Sequence, residues 1–202
     1  MDIRELSRAE LAALYERELT HTFPPAELKP LRAMEQLMDR GCYHPLALWE
    51  NGAVVSYLLL WTDRDAQYAL VDYLGTTPSR RGGGLGAEFL RTAFAAFPQY
   101  KCFLVEAEAP TSGDEATDAL RRRRLDFYLR AGLRQLDYDC ALFGVHYRCF
   151  AHGGVSDGEA LRAHQTIYAQ QFSPAHLERF IQLPLKPEEP VKPAPEWTEE
   201  EL

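Results

Sequence analysis

The chain has 202 residues, of which 46% are hydrophobic and 26% charged, with a net charge of −8; these are proportions of a soluble globular domain long enough to bury its own core. The acidic balance argues against nucleic acid as the main partner and suits a cationic amine substrate. No apolar run approaches a membrane span and the opening MDIRELSRAE does not read as a secretory leader, so no membrane partner is expected and a cytoplasmic location is.

Asp2–Glu5 reads as a short first strand. Ser7 with Glu10 forms a capping box for a helix to about Glu18. Thr20–Pro25 is a break, and a second helix is expected from near Pro25 to Gly41. Tyr43–Glu50 and Ala53–Trp61 are apolar runs joined by Asn51-Gly52, a strong hairpin signal. Tyr68–Thr76 is the next strand, with Leu70, Asp72 and Leu74 on one face and Val71, Tyr73 and Gly75 on the other. After a glycine-rich loop, Leu85, Phe89, Leu90, Ala93 and Phe94 recur at helical spacing. Cys102–Ala107 reads as a buried strand, Glu115–Ala131 as a helix closed by Gly132, and Leu136–Phe143 with Val145–Phe150 as a last hairpin. The order is β-α-α-β-β-β-α-β-α-β-β, an α/β fold with a mixed sheet covered by helices.

The strand at Tyr68–Thr76, the loop Arg80-Arg81-Gly82-Gly83-Gly84-Leu85-Gly86 and the helix after it form an anion cradle. Glycines let main-chain N–H groups approach a phosphate, and the helix dipole adds positive charge there. Ala87-Glu88 follow the last glycine where a P-loop needs Lys-Ser or Lys-Thr, and the spacing does not fit the dinucleotide fingerprint. What remains, Arg81-x-x-Gly84-x-Gly86, resembles the acyl-CoA pyrophosphate loop of the GNAT superfamily of N-acyltransferases. Phe127-Tyr128-Leu129-Arg130-Ala131-Gly132-Leu133 is similar to the family's F-Y-x-x-x-G-F segment, and the element order from Asp2 to Phe150 matches as well.

The resemblance implies acetyl-CoA as co-substrate. Pantetheine would pair with the backbone around Leu74, Gly75 and Thr76, and the pyrophosphate would take N–H bonds from Arg81, Gly82, Gly83, Gly84, Leu85 and Gly86. It also implies Tyr128 as general acid toward the departing thiolate, and a phenol is protonated at neutral pH. Backbone N–H, that of Leu74, would hold the oxyanion. For the base, Asp72 ranks first, Glu106 second and Glu108 third, with Glu108 equally a ligand for a cationic substrate. An unshifted carboxylate cannot deprotonate an ammonium directly, so burial or a water chain is required. Arg121 stands where many members carry asparagine; the run Arg121–Arg124 reads most simply as a solvated helix face, with Arg121, on the stripe of Leu125 and Tyr128, as the alternative partner of Glu106, Glu108 or the CoA phosphates.

Phe23-Pro24-Pro25-Ala26-Glu27-Leu28-Lys29-Pro30 resembles a motif of a bacterial GNAT subgroup; two helices meeting at its proline-fixed turn can form a lid, with Glu27 either a candidate amine ligand or, equally, a first-turn glutamate on a helix dipole. Beyond the hairpin, Asp157–Phe172 and Pro174–Ile181 read as helices packed by Tyr168, Phe172, Phe180 and Ile181. From Leu185 on, two lysines, six glutamates and four prolines carry −4 of the net charge, a surface tail with Trp197 as tether. The expected division is an acyltransferase domain over 1–151, a helical extension over 152–184 on the same domain, and a flexible acidic tail over 185–202. Cys42, Cys102, Cys140 and Cys149 form no C-x-x-C pair, and His146, His152, His164 and His176 lack ligand spacing. No metal is therefore expected. Cys140 and Cys149, opposed in a hairpin, should remain free thiols in a reducing cytosol. The expected function is acetyl transfer to an amine of a small molecule or peptide by a monomer or homodimer. The alternative is a catalytically inactive acyl-CoA-binding or regulatory domain of the same fold.

Overall fold

The computed structural model describes residues 2–65 and 67–193. Strand β1 (Asp2–Glu5) leads into α1 (Arg8–Leu14) through the capping box read from the sequence, in which the Glu10 carboxylate accepts the Ser7 N–H at 2.9 Å. The helix widens into a π turn over Tyr15–Leu19 and ends in one further turn, α2 (Thr20–Thr22). The second expected helix is split. Pro25–Glu27 is an isolated 3-10 turn, Leu28 is extended, and α3 runs over Leu31–Asp39. Pro30 is the cause, because a proline disfavours helical backbone at the residue before it, here Lys29.

Strands β2 (Tyr43–Glu50) and β3 (Ala53–Thr62) are joined by Asn51 and Gly52 at φ 51° and 79°, the left-handed pair that a two-residue hairpin requires. Then come β4 (Tyr68–Thr76), a 3-10 turn at Pro78–Arg80, α4 (Leu85–Ala96) and β5 (Cys102–Glu108). Helix α5 (Glu115–Arg130) is capped by the Asp114 carboxylate on the Thr117 N–H at 2.8 Å. Strands β6 (Arg134–Leu142) and β7 (Val145–His152) follow, and α6 (Asp157–Ala169), α7 (Pro174–Phe180) and β8 (Ile181–Leu185) complete the described chain.

The eight strands make one mixed sheet in the order β1-β2-β3-β4-β5-β7-β6-β8. The last strand was not expected: Ile181, read as the end of a helix, opens β8, which pairs antiparallel with β6 at the sheet edge. Alternate residues feed two cores. Leu59 and Trp61 pack with Leu11, Leu19, Met34 and Ile167 on one face, and Leu58 and Leu60 with Leu85, Phe89, Leu90 and Phe150 on the other. Past β8 the chain is held by the Gln182 side chain, which donates to the Pro190 carbonyl at 3.0 Å and accepts the Lys192 N–H at 2.9 Å. Trp197 lies outside the described residues.

Two irregularities of β4 position the site. It pairs in parallel with β5 only over Tyr68–Val71 against Cys102–Val105. Beyond that, β4 stays with β3 as far as Thr76, while Glu106, Ala107 and Glu108 pair away with Cys149, Arg148 and Tyr147 of β7. A wedge opens between two strand edges. In the second irregularity, Leu60 faces Val71 and Leu59 faces Tyr73, so Asp72 is an extra, bulged residue. The expectation that Asp72 and Leu74 share a face is corrected here. The bulge puts Asp72 and Tyr73 on one face, where Tyr43 receives the carboxylate, and sends Leu74 to the other, against the core holding Leu85 and Phe89.

Candidate active site

A cavity of about 840 Å³ fills the wedge. One end is lined by Leu74, Gly75 and Thr76 of β4, by Arg80, Arg81, Gly82, Gly84, Leu85 and Gly86, and by Phe127, Tyr128 and Arg130 of α5. Gly82 and Gly84 have φ +85° and +78° with open space around them, so backbone handedness rather than crowding demands glycine there. Gly75 differs, since a Cβ would lie 2.1 Å from the Tyr57 ring. Gly84 also precedes α4 as its N-cap and supplies no side-chain acceptor, which leaves first-turn N–H groups for a ligand. Arg81 is partly engaged already: its Nε donates to the Thr76 carbonyl at 3.0 Å and its N–H bonds back to Pro78 at 3.4 Å. Arg80 pairs with Glu50, whereas Arg130 makes no ion pair among the described residues. An uncapped helix start, a left-handed glycine loop and arginines suit a diphosphate, and unpaired strand edges suit an extended chain bearing amides. These residues fit acetyl-CoA.

Tyr128 projects from α5, its ring packed on Phe127 and Phe150 at centroid distances of 5.1 and 5.9 Å. Its hydroxyl has no hydrogen-bond partner among the described residues although the residue lines the cavity. Burial raises its pKa to about 12, with Arg124 opposing.

The other end of the cavity brings together all four carboxylates singled out from the sequence, Glu27, Asp72, Glu106 and Glu108. Asp72 accepts the Tyr43 hydroxyl at 2.6 Å and lies 2.9 Å from Lys29 Nζ. The Lys29 side chain is only 10% exposed, with its ammonium 3.7 Å from the Trp61 ring centroid. Burial lowers its proton affinity more than Asp72 raises it. Glu106 contacts His164 Nε2 at 2.6 Å and accepts the Tyr168 hydroxyl at 3.0 Å. Burial works against charge on His164, but hydrogen bonds to Cys149 and Glu106 outweigh it and raise the pKa to about 9. Glu108 is held by Arg121 at 2.7 Å and by Arg124; of the alternative partners of Arg121, Glu108 is the one it takes. Glu27 makes no ion pair among the described residues. Desolvation first and the Glu108 charge second raise its pKa to about 7, against Arg124, Arg121 and a Tyr147 hydrogen bond.

Lys29, Tyr43, Trp61 and His164 were not read as site residues. The Lys29-Pro30 dipeptide was the available signal, since it peels Lys29 off the helix and lets it turn inward. His164 and Tyr168, four apart on α6, share a face toward Glu106, but nothing in the sequence ties them to a residue about 60 positions earlier. Cys140 and Cys149 are free thiols with sulfurs 3.6 Å apart behind Glu106. Among the described residues no group of His, Cys, Asp and Glu could hold a metal, and no helix is long and apolar enough to cross a membrane.

The family model described as the acetyltransferase (GNAT) family matches residues 8–130. No curated protein matches the sequence. Among solved structures, a GNAT-family protein from Bacteroides thetaiotaomicron aligns at 19% identity over 86% of this chain and 100% of that one, with a TM-score of 0.68. The ribosomal-protein-S18-alanine N-acetyltransferase of Escherichia coli aligns at 14% identity, 77% and 96% coverage and a TM-score of 0.54. Spermidine N-acetyltransferase of Vibrio cholerae, solved with CoA and spermine, aligns at 9% identity, 75% and 94% coverage and a TM-score of 0.55. At such identities these are likenesses of fold.

Proposed function

The chain belongs to the acetyltransferase (GNAT) family, and from that premise we propose that it is an N-acetyltransferase, moving an acetyl group from acetyl-CoA to a primary amine of a small molecule or peptide by direct attack on the thioester. The observation that carries the reading is one continuous cavity, which joins the uncapped glycine loop, the free Tyr128 hydroxyl and the carboxylate-lined wall across the wedge between β4 and β5. Acetyl-CoA, when bound, supplies the activated acyl group. The N–H groups of the loop from Gly82 to Gly86 grip its diphosphate, Arg81, whose own N–H is directed to Pro78, adds positive charge beside them, and the free edge at Leu74–Thr76 pairs with pantetheine and offers N–H at the reacting carbonyl.

Tyr128 serves the departing sulfur. With a pKa of about 12 it keeps its proton through the neutral range and donates a hydrogen bond. Outright loss of that proton to a thiolate of ordinary pKa, about 8.5, is uphill by roughly three tenfold steps; the phenol therefore passes on a proton that the amine replaces. Asp72 and Glu106, the first two candidate bases, each face an internal cation, so in this reading they set the charge of the wall. Tyr168, Gln171 and Phe172 from α6 and the turn after it line the acceptor end, which favours a small amine over a protein terminus. Spermidine in one similar enzyme and the ribosomal alanine in another are both amines, in keeping with this chemistry. A bacterial cytoplasmic enzyme, monomeric or dimeric, with residues 152–184 integral to its domain, completes the proposal.

Calorimetry with acetyl-CoA and thiol release across an amine panel test it. Saturable binding and amine-dependent release are expected, with Tyr128→Phe lowering turnover by about a hundredfold while acetyl-CoA affinity holds. Binding without release for any amine would favour the catalytically inactive domain. Absence of binding at millimolar acetyl-CoA would overturn both.

A further inference from the structure

The four cavity carboxylates are not equivalent. Asp72 faces Lys29, Glu106 faces His164, and Glu108 faces Arg121 and Arg124, so three of them are matched by cations of the protein itself. A bound ammonium would have to compete with those partners. Glu27 alone of the four has no ion-pair partner among the described residues. Its backbone is also tied to the reacting strand: the Tyr73 hydroxyl donates to the Glu27 carbonyl at 2.8 Å and accepts the Lys29 N–H at 2.7 Å. Tyr73 is the residue before Leu74, so the turn bearing Glu27 is fixed to the strand that meets the thioester. Much of the rest of this wall is ring surface, with Phe23, Trp61, Tyr73, Phe143, Tyr147 and Phe172 all lining the cavity beside Leu28, Leu142 and Gln171. A polyamine needs several uncompensated anions along its length, and this wall offers one.

We propose that the acceptor is a monoamine with an aromatic body, and that Glu27 both anchors its ammonium and removes the proton that blocks attack. The inference rests on the transferase reading. The ammonium gives one proton to Glu27, and the freed lone pair forms the C–N bond while the C–S bond breaks. The second amine proton passes by way of Tyr128 to the sulfur, and Glu27 then releases its proton to solvent. Burial assists: a carboxylate at about 7 rather than 4.5 raises the attainable share of neutral amine roughly 300-fold. The charged and titratable groups facing Glu27 are Glu108 of β5, Arg121 and Arg124 of α5, Tyr147 of β7 and Tyr73 of β4, so the midpoint belongs to that cluster.

The test compares 2-phenylethylamine, butylamine, spermidine and an alanine-initiated peptide as acceptors for the full chain and for Glu27→Gln. For 2-phenylethylamine, kcat/KM should exceed that of each other amine by at least about tenfold. Glu27→Gln should lose about a hundredfold at neutral pH with acetyl-CoA affinity unchanged, and should lack the rise in rate through about pH 7 expected of the full chain. Preference for spermidine or the peptide would overturn the substrate class. A Gln variant with undiminished rate and an unaltered pH profile would overturn the role of Glu27. Binding of 2-phenylethylamine, read by quenching of tryptophan fluorescence, separates this inference from the transferase reading: if no amine turns over, saturable binding abolished in Glu27→Gln still supports the anchor, and no such binding overturns it.

Discussion

Lys29 and Asp72 expose only 10% and 12% of their side chains, so each depends on the other for a counter-charge. Removing one partner of such a pair costs far more than removing both, because the survivor is left buried and uncompensated. Lys29→Met should therefore lower stability to urea by about 3 kcal/mol, and Lys29→Met with Asp72→Asn should recover most of the loss. Additive losses would mean that the two groups do not interact. The lysine carries a further sign. Its folded pKa lies below the unfolded 10.5, so between the two values the unfolded chain binds more protons and stability rises with pH toward 10.5. Lys29→Met should remove that alkaline rise.

The glycine loop separates strain from ligand contact at the level of one element. Gly82 and Gly84 hold positive φ whereas Gly83 does not, and none of the three has a neighbour within 4 Å of an added Cβ. Gly84→Ala should cost about 1–2 kcal/mol of stability from left-handed strain alone, while Gly83→Ala should fall within about 0.5 kcal/mol of the parent. If the loop holds a diphosphate, both should weaken acetyl-CoA in calorimetry; a Gly83→Ala variant of parental affinity would remove that residue from the cradle. This element was legible in the sequence because it depends on residue type at fixed spacing, as the hairpin at Asn51-Gly52 does. The bulge at Asp72 was not, since no glycine or proline marks it and simple alternation read straight through it. The base ranking failed to anticipate the cations for a related reason: Lys29 and His164 reach Asp72 and Glu106 from elements distant in sequence. The β8 strand escaped because IQLPL is short and takes its pairing from β6.

At the scale of the molecule, the C-terminal extension is bound into both sheet and site. Helix α6 buries Ala160, Ala163, Ile167 and Tyr168, β8 covers the edge of β6, and His164 supplies the charge opposite Glu106. Ending the chain at His152 would uncover a strand edge and orphan a largely buried carboxylate at once. Such a chain should aggregate or melt at least about 15 °C lower. Because gross truncation reports several losses together, His164→Gln isolates the ion pair. The histidine pKa is raised from 6.5 to about 9 in the folded state. The stabilisation is therefore complete below pH 6.5 and lost as pH rises through about 9, on the order of 3 kcal/mol at most. Urea midpoints of the parent should fall across that window, and those of His164→Gln should start lower and stay flatter. A parent whose stability is level from pH 6.5 to 9 would show that the imidazole is not held charged by Cys149 and Glu106, and would leave the extension attached to the site by packing alone.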